Sequence, residues 1–255
     1  MMRMTFIDAP IDVLTKAQTV SRALDAIRSG GKVTHCAMNV AKLVRMRSNA
    51  ILRQDVCAAD IVGIDGMGIV WGARLAGIRV PERVPGIDLM LSLLAECASR
   101  GYRPYFLGAT PDVVRRAAAA ACSRYPALEL AGLHDGYFAP GDETSIVEAI
   151  NTSGADCLFV GMPTPRKERF LAAHRQAIEA PFVMGVGGSF DVLAGKVARA
   201  PEWMQRAGLE WAFRVVQEPR RMLGRYVSTN LMFTALMLRE ITLQALGPRR
   251  RRSAP

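Results

Sequence analysis

Short apolar runs alternate with longer amphipathic segments along most of the chain, and this alternation constrains the fold more than any other feature. Six runs of four to six residues have the residue types of buried strands: Val33–Met38, Ile61–Ile64, Pro104–Leu107, Leu128–Ala131, Cys157–Val160 and Phe182–Val186. Helical periodicity is found between them, in Val40–Gln54, Ile87–Ser99, Asp112–Arg124, Glu143–Asn151 and Arg166–Ile178. Strands that alternate with helices predict a Rossmann-like α/β fold, with a mostly parallel sheet covered by helices on both faces.

Four of these strands run directly into turns that contain glycine: Asp65-Gly66, Gly108 to Pro111, Gly161 to Pro165 and Gly187-Gly188. Glycine allows a sharp turn and a close approach to a ligand. Thr110-Pro111 and Thr164-Pro165 have the composition of a helix N-cap followed by a first-turn proline. Each turn alone would be an ordinary strand-to-helix loop. Because ligands of parallel sheets bind beyond the carboxyl ends of the strands, the four together predict a nucleotide or phosphate site.

The alternation ends near Ala198, and no strand is predicted after it. Pro201–Gln217 has the pattern of one helix, and a second helix is predicted over about 220–246, after the interruption at Glu218-Pro219. We therefore divide the chain into an α/β domain, residues 1–198, and a basic helical appendage, residues 199–255. Interleaved basic and apolar residues are typical of a membrane-surface helix and also of a helix packed on its own domain, and the pattern alone favours packing.

Positive charge is concentrated in the appendage. Residues 199–255 contain eleven arginines, no lysine and four glutamates, so they carry +7 of the net charge of +10. A basic segment suits either nucleic acid or an anionic membrane surface, although Arg249–Arg252 alone would equally be a solubilising tail. Aromatic residues are only 7% of the chain, too few for a base-stacking platform, which argues against nucleic acid.

Residue usage argues against several kinds of site and compartment. The five cysteines are widely separated, with no C-x-x-C pair, which disfavours disulfides and structural zinc and favours a reducing compartment. Three histidines make a histidine metal site improbable, and the glycine motifs of dinucleotide-binding, P-loop and serine-hydrolase enzymes are missing. Because no apolar run suits a signal peptide or a span of ~20 residues, we expect a soluble or peripheral protein.

Asp65 and Arg83 are the strongest candidates for chemistry. Asp65 follows a predicted buried strand, where a carboxylate can accept a proton from an attacking hydroxyl, but it could equally cap the next helix. Arg83 lies between two prolines in VPERVPG, a rigid loop that can hold a guanidinium where phosphate charge develops. The alternative for Arg83 is an ordinary surface arginine.

Several long blocks, in order from about Val33 to Phe233, are distinctive: ADIVGIDGMGIVWGARLAG, PERVPGIDL, YPALELAGLHDGYF, FVGMPTPRKERF, VGGSFDVLAGKVARAPEWMQRAGLEWAFRVVQEPRR and RYVSTNLMF. Together they resemble the WecG/TagA/CpsF family of bacterial glycosyltransferases. The resemblance implies an inverting enzyme that transfers a sugar from a UDP-sugar to a polyprenyl-diphosphate-linked acceptor in cell-surface polysaccharide or exopolysaccharide synthesis. It also implies that no metal or cofactor is needed, and that the appendage binds the membrane and completes the site.

The same resemblance assigns roles to individual residues. Asp65 corresponds to the general base and Arg83 to a contact with the diphosphate or acceptor. The implied substrate-binding residues are Asn39, Tyr137, Lys167, Asp191, Arg214 and Arg221, and the glycine turn after the strand at 182–186 adds Gly187 and Gly188. Two positions depart from the family pattern, since Ala37 replaces a threonine and Lys167 a glutamine. We expect these departures to bear on sugar specificity more than on the reaction class.

The expected partners are a UDP-sugar of the N-acetylmannosamine or hexose type, a polyprenyl-diphosphate-linked acceptor and the anionic inner face of the cell membrane. Nucleic acid is not expected, and a homo-oligomer is left open. Two other functions remain as alternatives. A non-catalytic nucleotide-binding regulator would use the same glycine-edged crevice without needing Asp65, and a basic nucleic-acid-binding protein would use the arginines.

Overall fold

The computed structural model of the chain describes residues 3–217 and 219–246; in the last helix, the side chains of residues 221–223, 225 and 243–246 lie outside the described part. The described chain begins with an antiparallel hairpin of β1 (Arg3–Phe6) and β2 (Ala9–Asp12). Six further strands form one sheet: β3 (Val33–Met38), β4 (Ile61–Ile64), β5 (Pro104–Gly108), β6 (Gly132–His134), β7 (Cys157–Gly161) and β8 (Phe182–Gly185). Their order is β4-β3-β8-β7-β5-β6 and every neighbouring pair is parallel, which confirms the predicted α/β class.

Helices cover both faces of the sheet. In chain order they are α1 (Lys16–Ser29), α2 (Val40–Ser48), α3 (Ala50–Cys57), α4 (Met67–Leu75), α5 (Gly86–Arg100), α6 (Pro111–Arg124), α7 (Glu143–Thr152), α8 (Arg166–Ala173), α9 (Ser189–Leu193), α10 (Glu202–Arg206), α11 (Glu210–Gln217) and α12 (Pro219–Leu246). One face packs against α1, α5, α6 and α9, around Phe106 and Phe182. The other face packs against α7 and α8 at one end, and against the hairpin, α2, α3 and α4 at the other.

The appendage is helical, as predicted, and α12 packs on the α/β domain. Met237 is buried in the core beside α4 and the hairpin, and the ring of Phe233 meets that of Phe6 edge-on at 6.3 Å between centroids. Gly72 of α4 makes this approach feasible, because a Cβ there would lie 2.8 Å from the Phe233 ring. Residues 201–217 form two helices rather than the single one expected, because Gly208 between them adopts a positive φ of 74°.

Three other boundaries differ from the sequence expectation. The strand predicted at Leu128–Ala131 was wrong, because Leu128 packs into the core and the ladder to β5 places Gly132 opposite Tyr105. The helix predicted over 40–54 breaks at Asn49, whose extended backbone and side-chain bond to the N–H of Leu52 start α3. The helix predicted over 166–178 ends at Ala173.

The two predicted threonine caps differ. Thr110 caps α6 as expected, accepting a hydrogen bond from the N–H of Val113, with Pro111 in the first turn. Thr164 precedes a cis peptide bond and does not cap α8. Its hydroxyl instead bonds the side chains of Lys167 and Glu168.

Candidate active site

The carboxyl edge of the sheet brings together residues that are far apart in sequence. Asn39 follows β3, Asp65 follows β4 and Gly187 comes just after β8, and these three strands are neighbours in the order β4-β3-β8. Tyr137 comes after β6, at the opposite side of the sheet. With about 4.8 Å between strands, the edge from β4 to β6 spans roughly 24 Å. This length suits an extended ligand rather than a single small ion.

Asp65 and Asn39 lie side by side at this edge. The N–H groups of Asp65 and Gly66 both donate to the carbonyl of Met38, at 2.9 and 3.3 Å, which ties the end of β4 to the end of β3. Asn39 caps α2, its Oδ1 accepting from the N–H of Lys42 at 3.0 Å. A Cβ on Gly66 would lie 3.2 Å from the Cβ of Asn39, so glycine permits this close packing.

The Asp65 carboxylate points towards the start of α5. Its Oδ1 accepts a hydrogen bond from the N–H of Gly86, the first residue of that helix, at 3.3 Å. The alternative that Asp65 caps the next helix in sequence was wrong. Helix α4 has Gly66 at its N-cap position and no side-chain cap. Asp65 is therefore held by the first residue of a helix that is distant in sequence.

The electrostatic surroundings raise the pKa of Asp65 above the ordinary value of 3.8. Burial is the largest cause, because it disfavours the charged form. The positive charge of Arg83 lowers the pKa most strongly, and Arg214 and the Gly86 N–H lower it further. The negative charge of Glu210 raises the pKa. A raised pKa improves a carboxylate as a proton acceptor, provided that the group is still ionised at the working pH.

The appendage supplies part of these surroundings through α11. Glu210 forms a salt bridge with Arg83, Oε2 to Nη1 at 3.2 Å, and each side chain is only 14% exposed. Arg214, half-buried one turn further along α11, is near enough to influence Asp65. A second bridge joins Arg199 to Asp88 on α5, with contacts of 2.6 and 2.7 Å. Both salt bridges therefore connect the appendage to the segment that follows Asp65.

The loop after β8 provides the predicted glycine turn. Gly187 has a positive φ of 54°, a conformation that favours glycine, and Gly188 is exposed at the start of α9. Asp191 lies on α9 and forms a salt bridge with Lys196 at 3.3 Å. The exposed backbone of this turn lies next to the end of β3 and is open to a ligand.

Tyr137 lies on a loop that Arg166 holds. Its ring is 75% exposed, and its N–H donates to Asp135 Oδ1 at 2.8 Å. Arg166, at the start of α8, donates to the carbonyls of Gly136 and Phe138 at 2.8 and 2.6 Å. Its guanidinium also lies 4.6 Å from the centre of the Phe138 ring. Arg166 therefore shapes the loop that presents Tyr137, a role that the sequence analysis did not predict.

Lys167 lies beneath the edge rather than on it. Its ammonium contacts Glu168 Oε1 and Thr164 Oγ1, both at 2.7 Å, and its alkyl chain runs against Gly185 of β8. Lys42 shares the same Glu168 oxygen at 2.8 Å. Burial, and then Lys42, lower the pKa of Lys167. Burial opposes ionisation of Glu168, but the two lysines outweigh it and lower its pKa to about 2.

Comparison with known proteins identifies the family of the chain. The sequence model of the glycosyl transferase WecG/TagA/CpsF family matches residues 4–246. The chain belongs to this family. A curated relative, N-acetylglucosaminyldiphosphoundecaprenol N-acetyl-beta-D-mannosaminyltransferase of Bacillus subtilis (strain 168), is 36% identical over 172 residues, which cover 66% of each chain. The chain thus spans just under two thirds of the length of that relative. The predicted family is confirmed.

Metal-binding clusters and membrane-spanning helices are both missing from the described residues. Over residues 3–217 and 219–246, no group of three or more His, Cys, Asp or Glu side chains is placed to hold a metal ion. Among the helices of that same part of the chain, none is long and apolar enough to cross a membrane.

Several residues around Asp65 were missed by the sequence analysis. Glu210, Asp88 and Arg199 are ordinary charged residues in sequence, and only the fold brings Glu210 to Arg83 and Arg199 to Asp88. Arg221 belongs to α12, but its side chain lies outside the described residues, so its role stays a prediction. The donor contacts of Asn39, Tyr137, Lys167 and Asp191 also stay predictions.

Proposed function

We propose that this glycosyltransferase transfers a sugar of the N-acetylmannosamine or hexose type from a UDP-sugar to a polyprenyl-diphosphate-linked acceptor, with inversion, in cell-surface polysaccharide synthesis. The observation that carries the proposal is the half-buried Asp65 carboxylate at the end of β4, with raised pKa and with arginines around it. The name of the Bacillus relative supports an undecaprenyl-diphosphate acceptor and a mannosaminyl donor group.

Asp65 would act as the general base in a single displacement. Its carboxylate accepts the proton of an acceptor hydroxyl while that oxygen attacks the anomeric carbon from the face opposite UDP. The bond between the anomeric carbon and the UDP oxygen breaks, and UDP leaves with the electron pair. The configuration at the anomeric carbon is inverted because only one displacement occurs. The Gly86 N–H orients the carboxylate for this step.

Arginines would stabilise the departing diphosphate. Arg83 and Arg214 lie close enough to Asp65 to affect its ionisation, which supports the proposal that their guanidiniums reach the diphosphate as its charge develops. The glycine turn after β8 offers backbone N–H groups to the same phosphates, and Asn39 would orient the donor beside Asp65. We assign the uridine to the far side of the edge, near Tyr137 and Asp191.

The two segments of the chain would have different roles. Residues 1–198 would bind the donor and hold the base, and residues 199–255 would complete the site and contact the anionic inner face of the membrane. Exposed apolar side chains in the appendage support the membrane contact: Trp203, Trp211, Val216, Val227, Leu231 and Leu238. Exposed arginines of the same helices, such as Arg206 and Arg220, would attract anionic lipid.

The decisive experiment is a donor screen. The purified full chain is incubated with each UDP-sugar and a short-chain lipid-diphosphate-linked N-acetylglucosamine, and the products are identified by mass spectrometry. We expect one donor of the N-acetylmannosamine or hexose type to add one sugar residue to the acceptor. If UDP binds but no donor is transferred or hydrolysed, the proposal is wrong and a nucleotide-binding regulator is favoured.

A further inference from the structure

The salt bridge between Arg83 and Glu210 occupies a group that the proposed reaction needs. The two residues are far apart in sequence, yet their side chains meet at 3.2 Å and both are 14% exposed. A guanidinium binds carboxylates and phosphates through the same donors, so a carboxylate can stand where a phosphate would bind. Glu210 therefore holds the arginine that would contact the diphosphate.

The charges of the described side chains around Asp65 balance one another. Three carboxylates, of Asp65, Asp88 and Glu210, face three guanidiniums, of Arg83, Arg199 and Arg214. Arg83 and Arg199 are paired with Glu210 and Asp88. Within the described part of the chain, Arg214 has no hydrogen bond or salt bridge. A diphosphate brings additional negative charge into this balanced cluster, so its binding at Arg83 requires that a carboxylate withdraw.

We propose that Glu210 is an internal competitor for diphosphate at Arg83, so that a ligand binds there by exchanging its phosphate oxygens for the Glu210 carboxylate. The inference rests on the proposed contact between Arg83 and the diphosphate. Glu210 lies at the start of α11, so the exchange releases one of the contacts that hold this helix to the edge. Substrate binding and the position of the appendage are thereby coupled.

The exchange also makes Glu210 a specificity-determining residue. A ligand without phosphate does not need Arg83, so Glu210 does not affect its binding. A ligand with a diphosphate must displace Glu210, and the strong pairing between guanidinium and phosphate offsets the loss of the Arg83–Glu210 salt bridge. Removing the carboxylate should therefore strengthen binding of UDP and inorganic pyrophosphate but leave uridine unaffected.

Isothermal titration of UDP, pyrophosphate and uridine tests the exchange in the full-length wild-type protein and in Glu210→Gln. We expect Glu210→Gln to bind UDP and pyrophosphate about fivefold more tightly, a change in the range of a partly exposed ion pair, with uridine unchanged. Glu202→Gln is the matched control, because Glu202 is exposed on the neighbouring helix and pairs with Arg206 rather than with Arg83. It should bind all three ligands as the wild type does.

The same substitution in an Arg83→Gln variant distinguishes competition at Arg83 from a general effect of removing a negative charge. In Arg83→Gln, the further change Glu210→Gln should no longer strengthen UDP binding, because the competed group is gone. A purely structural role for Glu210 would lower the thermal midpoint of unfolding and weaken UDP binding together, whereas competition lowers the midpoint and strengthens binding. Unchanged or weaker binding of UDP in Glu210→Gln, or an equal gain in the Arg83→Gln background, overturns the inference.

These titrations do not depend on sugar transfer. Tighter UDP binding by Glu210→Gln, together with an absence of transfer in the donor screen, would leave the exchange intact and defeat only the proposed function. If neither UDP nor pyrophosphate binds to the wild type or to Glu210→Gln, the exchange itself is wrong.

Discussion

Asp65 Oδ1 accepts a hydrogen bond from the backbone N–H of Gly86, 3.3 Å away, so the carboxylate at the end of β4 lies at the first residue of α5. The partly positive end of a helix favours the ionised carboxylate. Burial acts in the opposite direction and dominates, and the pKa of Asp65 is raised. The group is held in one orientation and remains a better proton acceptor than a solvent-exposed aspartate.

The raised pKa predicts how activity depends on pH. The base works only when ionised, so kcat/KM should fall as the pH drops through a midpoint above the ordinary aspartate value of 3.8. Because Arg214 lowers the pKa of Asp65, Arg214→Gln should move this acid limb to higher pH. The measurement is kcat/KM between pH 4 and pH 9 for both proteins. An acid limb that does not move in Arg214→Gln contradicts the placement of Arg214 beside the base.

The buried cluster of Glu168 with Lys42 and Lys167 predicts a large effect on stability. Glu168→Gln leaves two buried ammonium groups without their shared carboxylate and should lower the free energy of unfolding by ~3–5 kcal/mol. The check is urea denaturation at pH 7, with Glu96→Gln as control, because Glu96 forms only a partly exposed pair with Arg100. A loss below that of the control would show that the cluster contributes little.

The same cluster gives a defined pH dependence of stability. The pKa of Glu168 is lowered from 4.5 to about 2, so the ionised group stabilises the fold at pH values above 4.5. That contribution is lost as the pH falls from 4.5 through about 2. The difference in unfolding free energy between wild type and Glu168→Gln should therefore shrink over this range.

The strands show which parts of the fold the sequence predicts well. β3 and β4 begin and end at the predicted residues. For β4 the reason is that a strand covered on both faces appears as a continuous apolar run, whereas β3 also contains Thr34 and His35. β6 is an edge strand with Leu133 exposed, so it has no such run, and the apolar residues before it were mistaken for it. The hairpin of β1 and β2 was not predicted, because Arg3, Pro10 and Asp12 interrupt its short strands and leave no continuous apolar run.

The site shows a different limit. Asp65 was predicted as a candidate site residue because it directly follows an apolar run that the local sequence identifies as a strand. The pairing of Arg83 with Glu210 depends on how α11 returns to the edge of the sheet, and no local pattern encodes that path. Lys167 illustrates the same point, since the sequence does not reveal that Glu168 and Thr164 hold its ammonium beneath the edge.

The outward side of α12 predicts binding to membranes. Leu231 and Leu238 are spaced by seven residues, which places them on one face, and they are 68% and 62% exposed. Replacing both by serine should weaken binding to vesicles of anionic lipid about tenfold, through loss of buried apolar area, without changing the fold. Vesicle flotation measures the binding, and Leu133→Ser, an exposed leucine on β6, is the control. Equal binding of the double variant and the control would rule out this face.

The most direct test of the account compares sugar transfer by wild type, Asp65→Asn and Asp112→Asn on the lipid-linked acceptor. Asp112 is an exposed aspartate on α6 and serves as the matched control. Asp65→Asn keeps the size of the side chain and a hydrogen-bond acceptor for Gly86, but it cannot take the proton. The account predicts that its turnover falls by at least about a hundredfold while UDP binding is retained, and that Asp112→Asn behaves as wild type. Near-normal turnover of Asp65→Asn would contradict the assignment of Asp65 as the base.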